Sequence, residues 1–328
     1  MIDRGGMRRR DFLMTAGAGA VAAGLWRPAR AQGTTVRQGY QTNMWGMPTY
    51  YLLRSGALEK QGLKVEEFAV PSGNITMQQM VGRQVDLGTY AAPAFILGHA
   101  RGGLVAIAQI EEVGKTTRIM ARKELNITRV EQLRGRKIAN QTGSSIGAVF
   151  TDTIAPKAGL KKDDWQEVRM NVNDMVAAMA AKTVDAMINV EPYNAIAEAD
   201  GIATTIMNYW DVDRMPVFMA ATPEFVDKNP DAAVSYLKAW LAVSDDFRNN
   251  RKKVSDTIYS FYTSKGYKMS PETFGKAVST IEVRPGFPSD LRGYMQKQAE
   301  ILLHEKKIKQ MPDWSKALRP EFMQRAMA

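Results

Sequence analysis

The 328-residue chain has no cysteine, only two histidines and no apolar run long enough to span a bilayer. The first absence excludes a disulfide-stapled fold, a thiolate-ligated zinc or iron–sulfur centre, a thiol enzyme and a cysteine-acylated lipoprotein. The second leaves His99 and His304 as the whole supply of imidazole. His99 lies in the apolar helical stretch 95–100 and reads as structural; His304 lies in the charged run 304–307 and reads as part of a solvated face. Also missing are a nucleophile elbow, a paired-histidine zinc helix, a dinucleotide fingerprint and a phosphate loop. Asp163-Asp164 and Asp245-Asp246 are adjacent pairs that point to different sides of their elements, so neither reads as an acid/base couple. The sequence thus nominates no catalytic residue, no metal ligand and no cofactor site.

Residues 1–31 read as a targeting segment rather than as structure. They hold a basic start, the run Arg8-Arg9-Arg10-Asp11-Phe12-Leu13, a weakly apolar stretch over 14–25 and a small-x-small end at Ala29-Arg30-Ala31. This resembles a twin-arginine export signal, cleaved near Ala31. A membrane anchor would need about 20 apolar residues, more than this stretch supplies. The formal charge of +10 comes from 44 Lys and Arg against 34 Asp and Glu. Without the segment's six arginines and two aspartates the balance is 38 against 32. So mild and scattered an excess is not a nucleic-acid footprint. An exported, cysteine-free, unanchored chain points to the bacterial periplasm.

The chain contains an internal echo. Segment 74–102 lies on 173–201 at a constant offset of 99 without a gap, matching Asn74 to Asn173, Val85-Asp86 to Val184-Asp185, Pro93 to Pro192 and Gly102 to Gly201. Gln41-Thr42 matches Gln141-Thr142 at an offset of 100. Each copy predicts a strand (36–41 or 137–140), a helix closing near Gly62-Leu63 or Gly159-Leu160, and a second strand (65–70 or 165–171). An Asn then caps a short helix (75–81 or 174–181). A third strand (85–88 or 185–190) precedes a helix with proline near its start.

Alternating strands and helices of this kind predict parallel βαβ units with helices on both faces. After about Pro216 the pattern changes to a returning strand (215–221) followed by helices alone, over 223–227, 230–248, 252–263, 271–279 and 289–305. Thr222-Pro223-Glu224 and Ser270-Pro271-Glu272 each place a capping hydroxyl before a first-turn proline. The expected architecture is α/β and two-lobed, each lobe a mostly parallel sheet flanked by helices. Lobe 1 is drawn from residues 32–118 and 218–328 and lobe 2 from 119–217, with two crossovers and a helical C-terminal tail.

In open parallel sheets ligands bind beyond the carboxyl ends of the strands. Four loops leave such ends, and they supply the candidate residues: Gln41, Thr42, Asn43 and Trp45; Thr89, Tyr90 and Ala91; Thr142, Gly143, Ser144 and Ser145; Asn189, Glu191 and Tyr193. Thr142 to Ser145 follow a strand and open a helix, so unpaired amides, the positive end of the helix dipole and two hydroxyls suit an oxyanion. The same residues also suit a plain helix cap. Trp45, Tyr90 and Tyr193 either sandwich a small organic ligand or belong to the core. Glu191 is a pocket acceptor, a hinge residue paired with a base, or a solvated loop charge. No Arg or Lys lies in these loops, which disfavours a multiply charged ligand held by guanidinium forks.

Several of these segments, taken in order, resemble a known family. They are Leu133-Arg134-Gly135-Arg136-Lys137-Ile138-Ala139, Thr142-Gly143-Ser144-Ser145, Ala158-Gly159-Leu160, Met179 through Ala186, and Glu191-Pro192-Tyr193. Together with the first-half echo Met80 through Gly88, and with Thr222-Pro223-Glu224-Phe225 and Asn229-Pro230, they resemble the periplasmic solute-binding proteins of nitrate, sulfonate and taurine type ABC importers.

That resemblance implies a type II periplasmic-binding-protein-like fold. It implies a monomer that closes over a small-molecule solute and presents it to an ABC permease in the inner membrane, without cofactor or nucleic acid. By position, the pocket loops are the four already named, with Ser144 and Ser145 as oxyanion donors. Trp45 and Tyr90 are bulkier than a bare sulfonate or nitrate requires, which favours an organic sulfonate or carboxylate, aromatic ones included. A neutral heteroaromatic such as a thiamine-type pyrimidine is the alternative solute. A sensor or an enzyme on the same scaffold is the alternative role. The pyrimidine-forming enzyme that shares the fold depends on histidine and cysteine chemistry that this chain lacks.

Overall fold

The computed structural model describes residues 33–141 and 144–328. The expected export signal over 1–31 and two expected site residues, Thr142 and Gly143, lie outside the described residues. Among the described residues no helix is long and apolar enough to cross a membrane.

The described strands are β1 (Thr35–Gln41), β2 (Lys64–Val70), β3 (Leu87–Ala91), β4 (Val105–Glu112), β5 (Thr117–Arg122), β6 (Lys137–Asn140), β7 (Gln166–Arg169), β8 (Ala186–Val190), β9 (Ala203–Asn208), β10 (Pro216–Ala221) and β11 (Glu282–Gly286). They form two sheets, ordered β2-β1-β3-β10-β4-β11 and β7-β6-β8-β5-β9. In the first, β1 to β4 run one way and β10 and β11 oppose them. In the second, only β5 opposes the rest. Each sheet is mixed because one strand is inserted antiparallel between two others: β10 slots between β3 and β4, and β5 between β8 and β9.

The two changes of sheet therefore fall between β4 and β5 and between β9 and β10. The expected boundaries put Thr117 and Arg118 with the first sheet and Pro216 and Val217 with the second, whereas strand pairing puts each pair in the other sheet. Sequence patterning does not separate β4 from β5, since only the short turn Gly114–Thr116 divides two apolar runs. The tail is also not purely helical. β11 extends the edge of the first sheet, where Pro285 is tolerated because an edge strand has an unpaired side.

The internal echo is a duplication of register. Gln38 pairs with Glu67 and Leu87, and Ile138 pairs with Glu167 and Ala186. Asp86 Oδ2 accepts the Arg37 N–H at 3.0 Å and Asp185 Oδ2 accepts the Lys137 N–H at 3.0 Å. The residues three positions earlier, Arg83 and Lys182, both take left-handed φ, 61° and 58°. The matched Asn residues are not the caps expected of them. Ser72 precedes helix Gly73–Val81 and Asp174 precedes helix Met175–Ala180. The two hydroxyl caps do form: Thr222 Oγ1 accepts the Phe225 N–H at 3.3 Å and Ser270 Oγ accepts the Thr273 N–H at 3.1 Å.

Alternation along β10 shows how the first sheet is covered on both faces. Val217, Met219 and Ala221 join one apolar cluster, while Phe218 and Ala220 join a second with Phe95, Met295 and Leu302. Helices from both the first half and the tail are thus held against one sheet.

Candidate functional site

The carboxyl ends of β1, β2 and β3 face that of β6 across a small cavity. From the first sheet come Gln41, Asn43, Trp45, Ser72, Gly73, Asn74, Tyr90 and Ala91; from the second come Gln141, Ser144, Ser145 and Ile146. None of these side chains is charged. The space between them is about 20 Å³, room for about one water molecule. Three helices begin at its wall, Gly73–Val81, Ala92–Gly102 and Ser145–Val149. Their first amides lack intrahelical acceptors, so the cavity lies at three positive dipole ends.

On the first-sheet side the wall is tightly keyed. Gln41 Nε2 donates to the Thr89 carbonyl at 2.5 Å, and the Thr89 hydroxyl in turn lies 3.5 Å from Gln41 Oε1 and 3.4 Å from Thr49 Oγ1. Gly73 presses on this arrangement so closely that a Cβ there would come within 2.5 Å of Gln41 Nε2 and 2.6 Å of Tyr90 Cβ. Asn43 Oδ1 accepts the Trp45 N–H at 3.0 Å, and the indole Nε1 donates to Thr116 Oγ1 at 2.8 Å. Tyr90 is on the cavity wall, but its hydroxyl turns away to Met80 Sδ at 3.2 Å, and it is buried in the cluster with Met77 and Phe95.

On the second-sheet side the two serines differ. Ser144 Oγ donates to the Gln141 carbonyl at 2.6 Å and accepts the Gly147 N–H at 3.2 Å, so it is the helix cap. Ser145 makes no side-chain hydrogen bond to another described residue and lies on the cavity wall.

Several expected residues stand elsewhere. Thr42 holds the Val70 carbonyl through its N–H at 2.9 Å and is not on the wall. Thr89 sits behind Gln41. Asn189 is fully buried, its Nδ2 donating to the Val172 carbonyl at 3.0 Å and its Oδ1 accepting the Val190 N–H at 2.8 Å. Glu191 is fully buried against Arg118, 2.6 Å away, and accepts the Ala195 N–H at 3.0 Å. Burial pushes its carboxyl up to about 7 against the pull of that guanidinium. Of its three readings, the structure shows the one paired with a base, since Arg118 stands on β5 just after the first crossing. Tyr193 places its hydroxyl 3.4 Å from that of Tyr267.

Sequence reasoning missed Ser72, Gly73, Asn74, Gln141 and Ile146. The first three leave the end of β2 and open a helix, the pattern already used for 142–145. Gln141 was matched to Gln41 by the internal echo, which was itself the signal.

A family model described as NMT1/THI5 like matches residues 46–251. The chain belongs to the NMT1/THI5-like family. This NMT1/THI5-like chain is 27% identical over 311 residues to a Brucella abortus (strain 2308) protein named "Putative binding protein", covering 92% of this chain and 95% of the relative. It is 23% identical over 274 residues to a Brachyspira hyodysenteriae protein named "Putative ABC transporter periplasmic binding protein", covering 77% and 75%. Its fold matches the alkanesulfonate-binding protein SsuA from Xanthomonas axonopodis pv. citri bound to MOPS, with a TM-score of 0.77, 18% identity and 88% and 99% coverage. The fold is thus of the periplasmic-binding-protein type, as the family resemblance implied.

In this NMT1/THI5-like chain the two sheets meet at further points around the cavity. The Met44 N–H donates to the Glu191 carbonyl at 3.2 Å, and helix Tyr193–Ala199 packs on helix Pro271–Ser279 beside the Tyr193–Tyr267 contact. Chemically the cavity offers amide and hydroxyl donors with helix dipoles, a set that holds an oxyanion or a polar head without a counter-charge.

Proposed function

We propose that the chain is the extracytoplasmic solute-binding subunit of an ABC importer. It captures a small organic anion, a sulfonate or a carboxylate, between the two sheets and delivers it to a permease. The observation that carries this reading is the uncharged cavity at the meeting point of three helix starts, walled by both sheets. The anion's oxygens take the first amides at Gly73, Ser145 and Ile146 and the Ser145 hydroxyl, while Trp45 covers its organic part. A cavity this small must enlarge to admit such a solute, so capture requires the sheets to part and close again. The relative named as an ABC periplasmic binding protein and the fold match to an alkanesulfonate-binding protein both support this reading. So does the twin-arginine-like segment, which would export the chain.

A thermal-shift screen with alkyl and aryl sulfonates, nitrate, aromatic carboxylates and pyrimidines tests it. A solute at 100 times its Kd adds about 2.7 kcal/mol to stability. Stabilisation by an organic anion with no turnover of that solute is the expected outcome. Stabilisation by pyrimidines alone, or conversion of the solute, would defeat the reading.

A further inference from the structure

The charged run 304–307, expected to be a solvated face, reaches across the molecule. Lys307 Nζ lies 2.6 Å from Glu305 Oε2 and 3.4 Å from Asp152 Oδ2. Glu305 and Lys307 follow helix Leu291–His304, which packs on helix Ala92–Gly102 of the first sheet. Asp152 belongs to the helical segment Phe150–Ile154, whose Phe150 and Ile154 are buried with the second sheet's Ile138, Phe150 lying against Trp165 just before β7. The three side chains therefore bridge the two sheets, along a seam that also contains Pro93, Val149, Gln298 and Leu302. Asp152 and Glu305 are only 10% and 25% exposed, so water screens them little.

Two carboxyls meet one ammonium there, leaving one negative charge uncompensated while the sheets touch. Burial and the Asp152 carboxyl both raise the proton affinity of Glu305, against the pull of Lys307. Parting the sheets removes the first two influences and leaves Lys307, which stands two residues along the same segment. Closure is therefore coupled to proton uptake.

The remaining ionisable groups on the packed elements are otherwise engaged or exposed. Asp213, farther along the seam, is held by Tyr294 and Gln298 and faces Lys157. His99 Nδ1 is 2.9 Å from the Leu104 carbonyl, and Arg101, His304 and Lys306 are exposed.

We propose that Asp152, Glu305 and Lys307 form a proton-operated clasp, in which a proton taken up by Glu305 relieves the unbalanced negative charge beside Asp152 and holds the seam shut, and its loss lets the sheets part. The clasp rests on the capture reading, since it regulates the same closure. It favours release of the solute as pH rises.

The absence of cysteine allows clean labelling of two introduced thiols. Spin labels at Lys60→Cys and Lys162→Cys, both exposed, would report the inter-sheet distance by pulsed electron resonance in solute-free protein from pH 8 to pH 5. The short-distance population should grow on acidification, by at most tenfold per pH unit for one proton. Asp152→Asn and Glu305→Gln, each close in shape to the original, should abolish that growth, and Lys307→Met should move it to higher pH. A distribution that ignores pH, a response that survives both amide variants, or one that Lys307→Met leaves in place would overturn the clasp. No solute is present, so such a result leaves the capture reading to be judged by the solute screen alone.

Discussion

Replacing Glu191 by Gln should remove a specific pH dependence from the stability of this protein. The carboxyl is fully buried at the first crossing between sheets, and burial raises it from 4.5 to about 7 despite Arg118 at 2.6 Å and the Ala195 N–H at 3.0 Å. Each unit of separation corresponds to about 1.4 kcal/mol, so an ionised Glu191 costs the folded state about 3 kcal/mol relative to the unfolded chain. The folded state binds this proton more tightly. Stability is therefore highest below about 4.5, falls as pH rises through about 7, and then levels off. The Glu191→Gln side chain has no proton to lose, so the stability difference, variant minus parent, should rise by about 3 kcal/mol between about pH 4.5 and pH 8. Urea unfolding of both proteins at several pH values measures it, since other titrating groups are common to both. Parallel profiles would refute the reasoning. A parent that gains on the variant as pH rises would show that Arg118 outweighs burial.

Gly73→Ala forces a methyl into contact with Gln41 and Tyr90, and overpacking of this kind costs about 1–3 kcal/mol. Its thermal midpoint should fall and its response to solutes should weaken. Ser144→Ala removes a helix cap and should lower stability by about 1 kcal/mol in urea unfolding. Ser145→Ala should leave stability within about 0.5 kcal/mol yet weaken solute stabilisation; the reverse pattern would exchange the two roles. Glu111 is fully buried, and neither carboxyl oxygen has a hydrogen-bond partner among the described residues, so burial alone raises its proton affinity. Glu111→Gln should therefore stabilise the protein more at pH 8 than at pH 5, because the penalty it removes grows as pH rises.

Much of the scaffold was readable because local rules write it. The duplication showed in residues 74–102 and 173–201 because each half needs the same strand and turn chemistry at the same spacing. The hydroxyl-proline starts at Thr222 and Ser270 were legible for the same reason. β11 was not, because Pro285 and Gly286 carry the composition of a loop and only an open sheet edge makes them a strand. Within the site, Gln41, Asn43, Trp45, Tyr90, Ala91, Ser144 and Ser145 follow from the rule that loops at strand ends face ligands. That rule cannot say which way a side chain turns.

By itself the sequence determined the repeated strand and helix order, the loops that leave the strand ends, the absence of thiols and the limit of two imidazoles. Tertiary structure alone decided which of those loops share a cavity. It also chose partners far along the chain: Arg118 for Glu191, 73 residues away, Tyr267 for Tyr193, 74 away, and Asp152 for Lys307, 155 away. Periodicity and capping act within a turn or a strand. Such pairings join side chains that lie far apart in the chain and meet only once the sheets are assembled, beyond the reach of any local pattern.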